Sequence, residues 1–160
     1  MRQVRITILA LALILATALS AYAVTGASKM ESFATVSTDG SCQVSVTATF
    51  HMEESVGKVY FPIPADATGV TVNGSRVISS KSGDVRRVDL SRLAGKVVGD
   101  VTVNIHYSLH DVIYATDTNS LELQLPLLSG FNYPVESLTF SVTMPGAVDV
   151  LPSLDRKSVV

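Results

Sequence analysis

Apolar and polar residues alternate along most of the chain after residue 30. In the longest stretch, Cys42 to Met52, apolar side chains occupy every second position and Gln, Ser, Thr or His the positions between. A period of two over this length predicts a β-strand with one buried face. The run 101–109 alternates in the same way, and shorter runs occur at 121–125 and 138–144.

Turn pairs separate these runs and predict hairpins. Asp39–Gly40 lies between a β-rich run at 30–38 and the strand that begins at Cys42, and Asn73–Gly74 precedes a run at 75–79. Such pairs favour tight hairpins because Asn, Asp and Gly adopt positive φ at low cost.

Weaker signals complete the set of strands. Pro62 and Pro64 either end the strand at 57–63 or mark it as a sheet edge, since proline donates no ladder hydrogen bond. A charged strand at 85–90 precedes one helical turn at 91–95 that a glycine closes. About eight or nine short strands with turns between them predict an all-β domain, an antiparallel immunoglobulin-like β-sandwich. A closed barrel is the alternative.

The first 23 residues have a different pattern. Arg2 and Arg5 precede an uncharged, strongly apolar run at 6–19, and Ala21-Tyr22-Ala23 then places small residues around a candidate cleavage point. This order predicts a helical secretory signal peptide over 1–23, cleaved after Ala23.

An uncleaved membrane anchor is the alternative interpretation of this segment. No charged residue occurs between Arg5 and Lys29, and about 20 apolar residues suffice to cross a bilayer. In both cases the positive end stays inside, so residues 24–154 are expected to form an exported domain on the extracytoplasmic face.

Charge and cysteine content narrow the classes of function. The formal net charge is -2, so no basic field is available to attract nucleic acid. Cys42 is the only cysteine, which excludes a disulfide within the chain. Its place in an alternating strand predicts a small buried side chain rather than a reactive thiol.

The last six residues, DRKSVV at 155–160, follow Leu154 without a structural pattern. One frame of a common sequencing adapter translates as DRKSVV followed by a stop. We therefore expect this tail to be adapter read-through and the chain to be a fragment of a longer protein that continues beyond Leu154.

Several short motifs, in this order, carry a family resemblance. They are Phe33-Ala34-Thr35-Val36 with Asp39-Gly40, the V-x-V-x-x-x-F of 44–50, Ile63-Pro64, Leu123-Gln124-Leu125-Pro126, the segment 130–138, and Met144-Pro145-Gly146. Over roughly residues 30–148 the chain resembles the N-terminal extracytoplasmic domain of the bacterial predicted membrane proteins of domain-of-unknown-function family 2207. The resemblance implies a β-domain followed by transmembrane helices, and it implies no catalytic residues.

Candidate catalytic and metal-binding groups are few. His106 and His110 share a strand face but lie about 13 Å apart at the rise of a β-strand, too far to bind one zinc ion together. A hydrolase built on His51, His106 or His110 is the less favoured alternative, because catalytic triads are assembled in space. We expect no enzymatic activity, no catalytic residue, no metal site and no cofactor.

Binding is better represented than catalysis. Phe131, Asn132 and Tyr133 lie in a loop between glycine and proline and form the possible ligand loop. The alternative is that the two aromatic rings only anchor this loop on the domain. Four cations suggest a small basic area for anionic headgroups or cell-wall polymers, or else a solvated face. They are Lys81, Arg86, Arg87 and Arg92.

Together these observations predict a membrane-associated, extracytoplasmic structural or interaction domain. Its partner is expected to be the cell envelope or membrane, reached through the missing C-terminal region, with a surface protein or glycan as a further partner. A secreted carbohydrate- or protein-binding module is the alternative function.

Overall fold

A computed structural model describes residues 26–53, 57–115, 121–126 and 130–146. The predicted signal peptide and the DRKSVV tail lie outside these residues. The described part is all-β and contains no α-helix. Its eleven strands are β1 (Gly26–Val36), β2 (Cys42–Met52), β3 (Tyr60–Pro64), β4 (Thr68–Val72), β5 (Ser75–Arg76), β6 (Ser79–Ser82), β7 (Val85–Asp89), β8 (Gly99–Leu109), β9 (Ile113–Ala115), β10 (Leu121–Leu123) and β11 (Leu138–Thr143).

The strands form three sheets. The largest has six strands in the order β11-β1-β2-β8-β4-β5, the second has three in the order β3-β7-β6, and the third pairs β10 with β9. The 11-residue strands β1, β2 and β8 lie side by side and form the centre of the large sheet. The proline-containing strand β3 lies at an edge, as its two prolines predict.

The first predicted hairpin is confirmed. β1 and β2 pair antiparallel down to the partners Val36 and Cys42. In the turn, the Asp39 carboxylate accepts hydrogen bonds from the backbone N–H and the hydroxyl of Ser41, at 2.9 and 2.7 Å. These bonds lower the pKa of Asp39, because they favour its charged form.

The second hairpin is also confirmed, but its outgoing strand is shorter than predicted. Asn73 and Gly74 adopt φ values of 48° and 75°, which suit a tight hairpin turn between β4 and β5. The single strand predicted over 75–79 is wrong. β5 ends at Arg76, and the chain crosses through two residues to β6, which belongs to the three-stranded sheet.

The predicted antiparallel arrangement holds for every sheet pair except one: β11 pairs parallel with β1. Backbone bonds fix this direction before β11 begins. Ala27 N–H donates to Pro134 C=O at 2.9 Å, and Glu136 N–H donates back to Ala27 C=O at 3.0 Å. The chain therefore enters beside the start of β1 and runs along it in the same direction.

One hydrophobic core contains residues of both larger sheets. Every second residue of β2 and β8 faces inward, which confirms the alternation seen in the sequence. Phe61 of β3 and Val88 of β7 contribute to this core from the three-stranded sheet. Burial of a large apolar side chain stabilises the fold by roughly 1.5–3 kcal/mol. The largest buried side chains are Phe50, Phe61, Met30, Met52, Leu90 and Ile105.

The predicted helical turn is present over residues 91–96, but its glycine has a different role from the one expected. Ala94 N–H donates to Leu90 C=O at 2.9 Å and Gly95 N–H to Ser91 C=O at 3.1 Å. A Cβ at Gly95 would lie 2.8 Å from the carbonyl oxygens of both Gly57 and Ser91. Gly95 is therefore required by close backbone approach, not by a left-handed cap.

Candidate functional site: a tyrosine and arginine cleft

The three residues of the possible ligand loop, Phe131, Asn132 and Tyr133, have different surroundings in the structure. The ring of Phe131 packs against Phe61, with centroids 5.5 Å apart, and against Phe50 at 6.4 Å. Tyr133 contacts Phe131 edge-on at 5.7 Å. Phe131 therefore anchors the loop on the core, while Asn132 remains exposed. Of the three loop residues, only Asn132 and Tyr133 therefore remain candidates for contact with a ligand.

A cleft of about 140 Å³ lies between this loop and the three-stranded sheet. One wall comes from the loop and the other from β3 and β7. The lining residues are Tyr60, Pro62, Arg87, Gly130, Asn132 and Tyr133. The cleft thus combines two phenol rings, one guanidinium group and one amide.

The pleat of the three-stranded sheet explains why Tyr60, Pro62 and Arg87 meet on one face. Side chains two apart along a strand share a face, so Tyr60 and Pro62 point the same way from β3. Pro62 pairs with Arg87 across the antiparallel ladder, and directly paired residues also share a face. Phe61 and Val88 are a pair of the same ladder and point to the opposite face, into the core.

Arg87 carries the positive charge of the cleft. Within the part of the chain that the structure describes, its guanidinium makes no hydrogen bond or ion pair. The neighbouring Arg86 is used differently, since its Nη2 donates to Ala65 C=O at 3.3 Å. A free guanidinium is a planar array of donors suited to a carboxylate or phosphate.

The predicted basic area is divided by the pleat. Arg86 and Arg87 are adjacent on β7 and point to opposite faces. Lys81 pairs with Arg86 across β6 and β7 and shares its face, while Arg92 lies in the turn after β7. The four cations therefore do not form one surface, and only Arg87 belongs to the cleft.

The three histidines do not converge. His51 is opposite Asp100 in the pairing of β2 with β8, and His106 lies six positions farther along β8. At the rise of a strand this separation is roughly 20 Å, and His110 lies a further ~13 Å on. All three side chains are exposed. The structure therefore brings none of them together with another.

His51 instead forms an exposed ion pair. Its Nδ1 lies 2.6 Å from Oδ1 of Asp100. This hydrogen bond raises the pKa of His51 above its usual 6.5, because it favours the protonated ring. Exposed pairs of this kind are screened by salt and contribute little to stability.

Two titratable side chains of the core are perturbed by burial. Cys42 is fully buried, as its strand position predicts, and burial raises the pKa of its thiol. Burial also raises the pKa of Tyr107 to about 12. Neither group reaches the cleft, so these shifts describe the core and not a reactive centre.

Among the residues described, no group of three or more His, Cys, Asp or Glu side chains is placed to hold a metal ion. In the described ranges there is also no helix of the length and apolarity needed to cross a bilayer.

The sequence belongs to a known family. Residues 27–158 match the model of the N-terminal domain of the predicted membrane proteins of domain-of-unknown-function family 2207. The chain is therefore a member of this family, and the resemblance based on its strand order and short motifs is confirmed. Because the family is described as predicted membrane proteins, the chain is associated with a membrane. A search of curated proteins finds no relative of this sequence.

Solved structures resemble the chain only distantly. An M1 zinc metallopeptidase from Deinococcus radiodurans is 14% identical over 76% of this chain and 33% of its own, with a TM-score of 0.42. Its E323A mutant bound to a Tyr-Ser-Ala substrate is 15% identical over 76% and 33%, with a TM-score of 0.43. The chain spans between 20% and 33% of the length of the peptidase structures compared. At these TM-scores the likeness carries no argument about fold or activity.

The sequence identifies Asn132 and Tyr133 as part of a possible ligand loop and Arg87 as one of four cations. It does not indicate that these residues meet, and it does not single out Tyr60. The glycine and proline around Asn132 and Tyr133 marked the loop, but Tyr60 and Arg87 belong to strands far away in sequence. The charged strand 85–90 alternates weakly, so nothing in it separated Arg87 from Arg86. The observation that Tyr60, Pro62 and Arg87 share one face requires the register of β3 with β7.

Proposed function

We propose that this chain is the extracytoplasmic domain of a membrane-associated protein and acts as a structural or interaction domain. The family match over residues 27–158 carries this proposal, because the family is described as the N-terminal domain of predicted membrane proteins. The signal-like segment at 1–23 supports the extracytoplasmic side. In this proposal the two larger sheets are the layers of an immunoglobulin-like sandwich, with their inner faces in one core.

Absence of catalysis is part of the proposal. It is supported by the exposure of His51, His106 and His110 and by their partners, since within the described residues no serine hydroxyl or cysteine thiol is hydrogen-bonded to any of these rings. A fluorophosphonate probe for activated serines tests this point on the full chain. Covalent labelling of the folded chain that heat denaturation abolishes would contradict it.

A topology experiment tests the location. The full chain, fused at its C-terminus to alkaline phosphatase, is expressed in a bacterium, because this reporter is active only outside the cytoplasm. We expect an active reporter. A Leu13→Arg variant, which breaks the apolar run, is expected to lose reporter activity. Equal activity in both chains, or an inactive wild-type fusion, would contradict the extracytoplasmic location.

Cleavage and membrane association are measured on the same cells. N-terminal sequencing of the exported product is expected to start at Val24, whereas an intact Met1 would identify an anchor. Carbonate extraction of membranes then separates integral from secreted protein. Recovery in the medium would favour the second candidate function, a secreted carbohydrate- or protein-binding module. The cleft lined by Tyr60, Arg87, Asn132 and Tyr133 is the observation that favours this candidate.

A further inference from the structure

The cleft presents unpaired polar groups beside aromatic surface. Within the described residues, the side chains of Tyr60, Arg87 and Asn132 make no hydrogen bond, and Tyr133 uses only its ring, against Phe131. Exposed polar side chains without a protein partner bond to water, so a ligand can replace that water. Here two strands and an anchored loop hold four of them around one cavity.

Arg87 determines the charge of a ligand for this cavity. A guanidinium donates two parallel hydrogen bonds to a carboxylate, and such charge-assisted bonds are about twice as strong as neutral ones. Asp89 lies two residues along β7 and shares the face of Arg87, but within the described residues no hydrogen bond or ion pair joins the two side chains. The guanidinium of Arg87 is therefore available to a ligand.

The aromatic groups determine the shape of the ligand. Tyrosine rings offer a flat apolar face with a polar hydroxyl at the rim, which suits a ligand with one C–H face and several hydroxyl groups. The Asn132 amide adds both donors and an acceptor for such hydroxyls. A hexose ring has this combination of surfaces, and a carboxylate on it would meet Arg87.

The size and the type of lining argue for a saccharide unit rather than a cofactor or a peptide end. A cavity of about 140 Å³ is smaller than the ~300–1,000 Å³ of pockets that enclose drug-sized ligands, so it accommodates one unit of a polymer. Capture of a peptide carboxylate commonly uses a nest of backbone N–H groups. Of the residues that line this cleft, Gly130 is the only one without a side chain, and no run of three successive backbone N–H groups is among them.

We propose that the cleft formed by Tyr60, Arg87, Asn132 and Tyr133 binds an acidic saccharide through its carboxylate. The proposal rests on the extracytoplasmic interaction role proposed above, since polymers of this class are found in cell envelopes. Arg87 receives the carboxylate, the two tyrosine rings pack on the sugar, and Asn132 binds a hydroxyl.

Calorimetric titration of the full chain, purified in detergent, tests the proposal. The probes are a galacturonic acid trisaccharide, its carboxyl-reduced neutral counterpart, and a short peptide with a free C-terminal carboxylate. We expect measurable binding of the acidic trisaccharide and binding at least about tenfold weaker for the neutral one, as expected for loss of one charge-assisted pair. Equal affinity for both sugars, preference for the peptide, or no binding of the acidic sugar would overturn it.

Matched variants locate the site. Arg87→Gln is expected to weaken binding of the acidic sugar about tenfold or more, and Tyr133→Ala to weaken it by a smaller factor. Arg76→Gln removes the same charge from an exposed position on β5, outside the cleft, and is expected to change nothing. Unfolding midpoints equal to wild type verify that each variant is folded. An unaffected Arg87→Gln variant would overturn the assignment.

The topology experiment separates this proposal from the proposed function. An active external reporter on a chain that binds no acidic sugar would remove the ligand and leave the interaction domain. A cytoplasmic reporter on a chain that still binds the sugar would remove the extracytoplasmic role and leave the site.

Discussion

Strands β2 and β11 have the same alternation in sequence and opposite surroundings in the structure. The inward residues of β2, such as Val46 and Phe50, are almost completely buried. Register places Leu138 and Phe140 of β11 on the same face of the sheet as Met30 of β1. Nevertheless their side chains are 46% and 36% exposed.

Coverage by a second layer explains the difference. Phe131 of the loop packs on Phe50, and Phe61 of the three-stranded sheet packs on Phe131. No described element extends in this way over β11, which forms the far edge of the six-stranded sheet. Alternation therefore predicts that a segment is a strand and which of its residues share a face, while burial depends on what packs against that face.

The largest expected effect is on stability, when one phenylalanine of β2 or of β11 is replaced by alanine. Phe50→Ala should reduce the free energy of unfolding by about 3–5 kcal/mol, because it leaves a cavity in the core. Phe140→Ala should reduce it by about 1 kcal/mol, because a third of this side chain is already in water. Urea unfolding of both variants measures the two values, and equal losses would show that β11 is as well covered as β2.

Thiol labelling would sharpen the same comparison. Cys42 at the start of β2 is buried, and the raised pKa of its thiol disfavours the reactive thiolate. In a Cys42→Ala background, Leu138→Cys places the only thiol on β11. We expect this exposed thiol to react with an aromatic disulfide at least about 100-fold faster than Cys42 does in the native wild type. Comparable rates would contradict the difference in coverage.

The ionisation of Tyr107 reports on the covered region alone. Burial raises the pKa of this phenol from 10.0 to about 12 in the folded chain. Below pH 10 the phenol is neutral in both the folded and the unfolded chain, so this group does not change the free energy of unfolding. Between pH 10 and 12 the phenol ionises in the unfolded chain but not in the folded one, so the folded state loses stability as pH rises. Phenolate absorbance should show a late step near pH 12 that Tyr107→Phe removes. A wild-type titration without this step would contradict the burial of Tyr107.

The smallest expected effect concerns the outer face of β2 and β8. Because the pKa of His51 is raised above 6.5, chiefly by the hydrogen bond to Asp100, the ion pair stabilises the fold below pH 6.5. This contribution is lost as pH rises through the folded pKa. An NMR titration should place the His51 midpoint above 6.5, and Asp100→Asn should lower it. Glu136→Gln, which removes only a weaker charge effect, should lower it less.

Much of the fold could be predicted because its signals are local. The pairs Asp39–Gly40 and Asn73–Gly74 favour tight turns because Asn, Asp and Gly adopt positive φ at low cost. Both pairs form the predicted hairpin turns in the structure. The crossing after Arg76 and the parallel partner of β1 could not be predicted in this way. They depend on which sheet edge is open and where the chain returns, and neither is encoded in a short window.

The candidate site follows the same rule. Asn132 and Tyr133 lie in a loop that glycine and proline identify, whereas Tyr60 and Arg87 meet them only through the pairing of β3 with β7. For Phe131 the loop sequence leaves two interpretations open, a ligand contact or an anchor for the loop. The structure shows the anchor, because the large apolar ring packs on Phe50 and Phe61.

The parallel pair β1 and β11 also determines how the domain would bear mechanical load. Because both strands run the same way, the chain enters at Gly26 and leaves after Thr143 at opposite ends of the pair, with about 33 Å of β1 between its ends. Tension applied between those two points would shear the β1–β11 ladder, loading its hydrogen bonds together instead of opening them one at a time. In single-molecule pulling we expect this direction to require more force than pulling apart the β4–β5 hairpin at its open end. A domain held between two attachments would gain resistance to stretch from the one strand pair that departs from the antiparallel pattern.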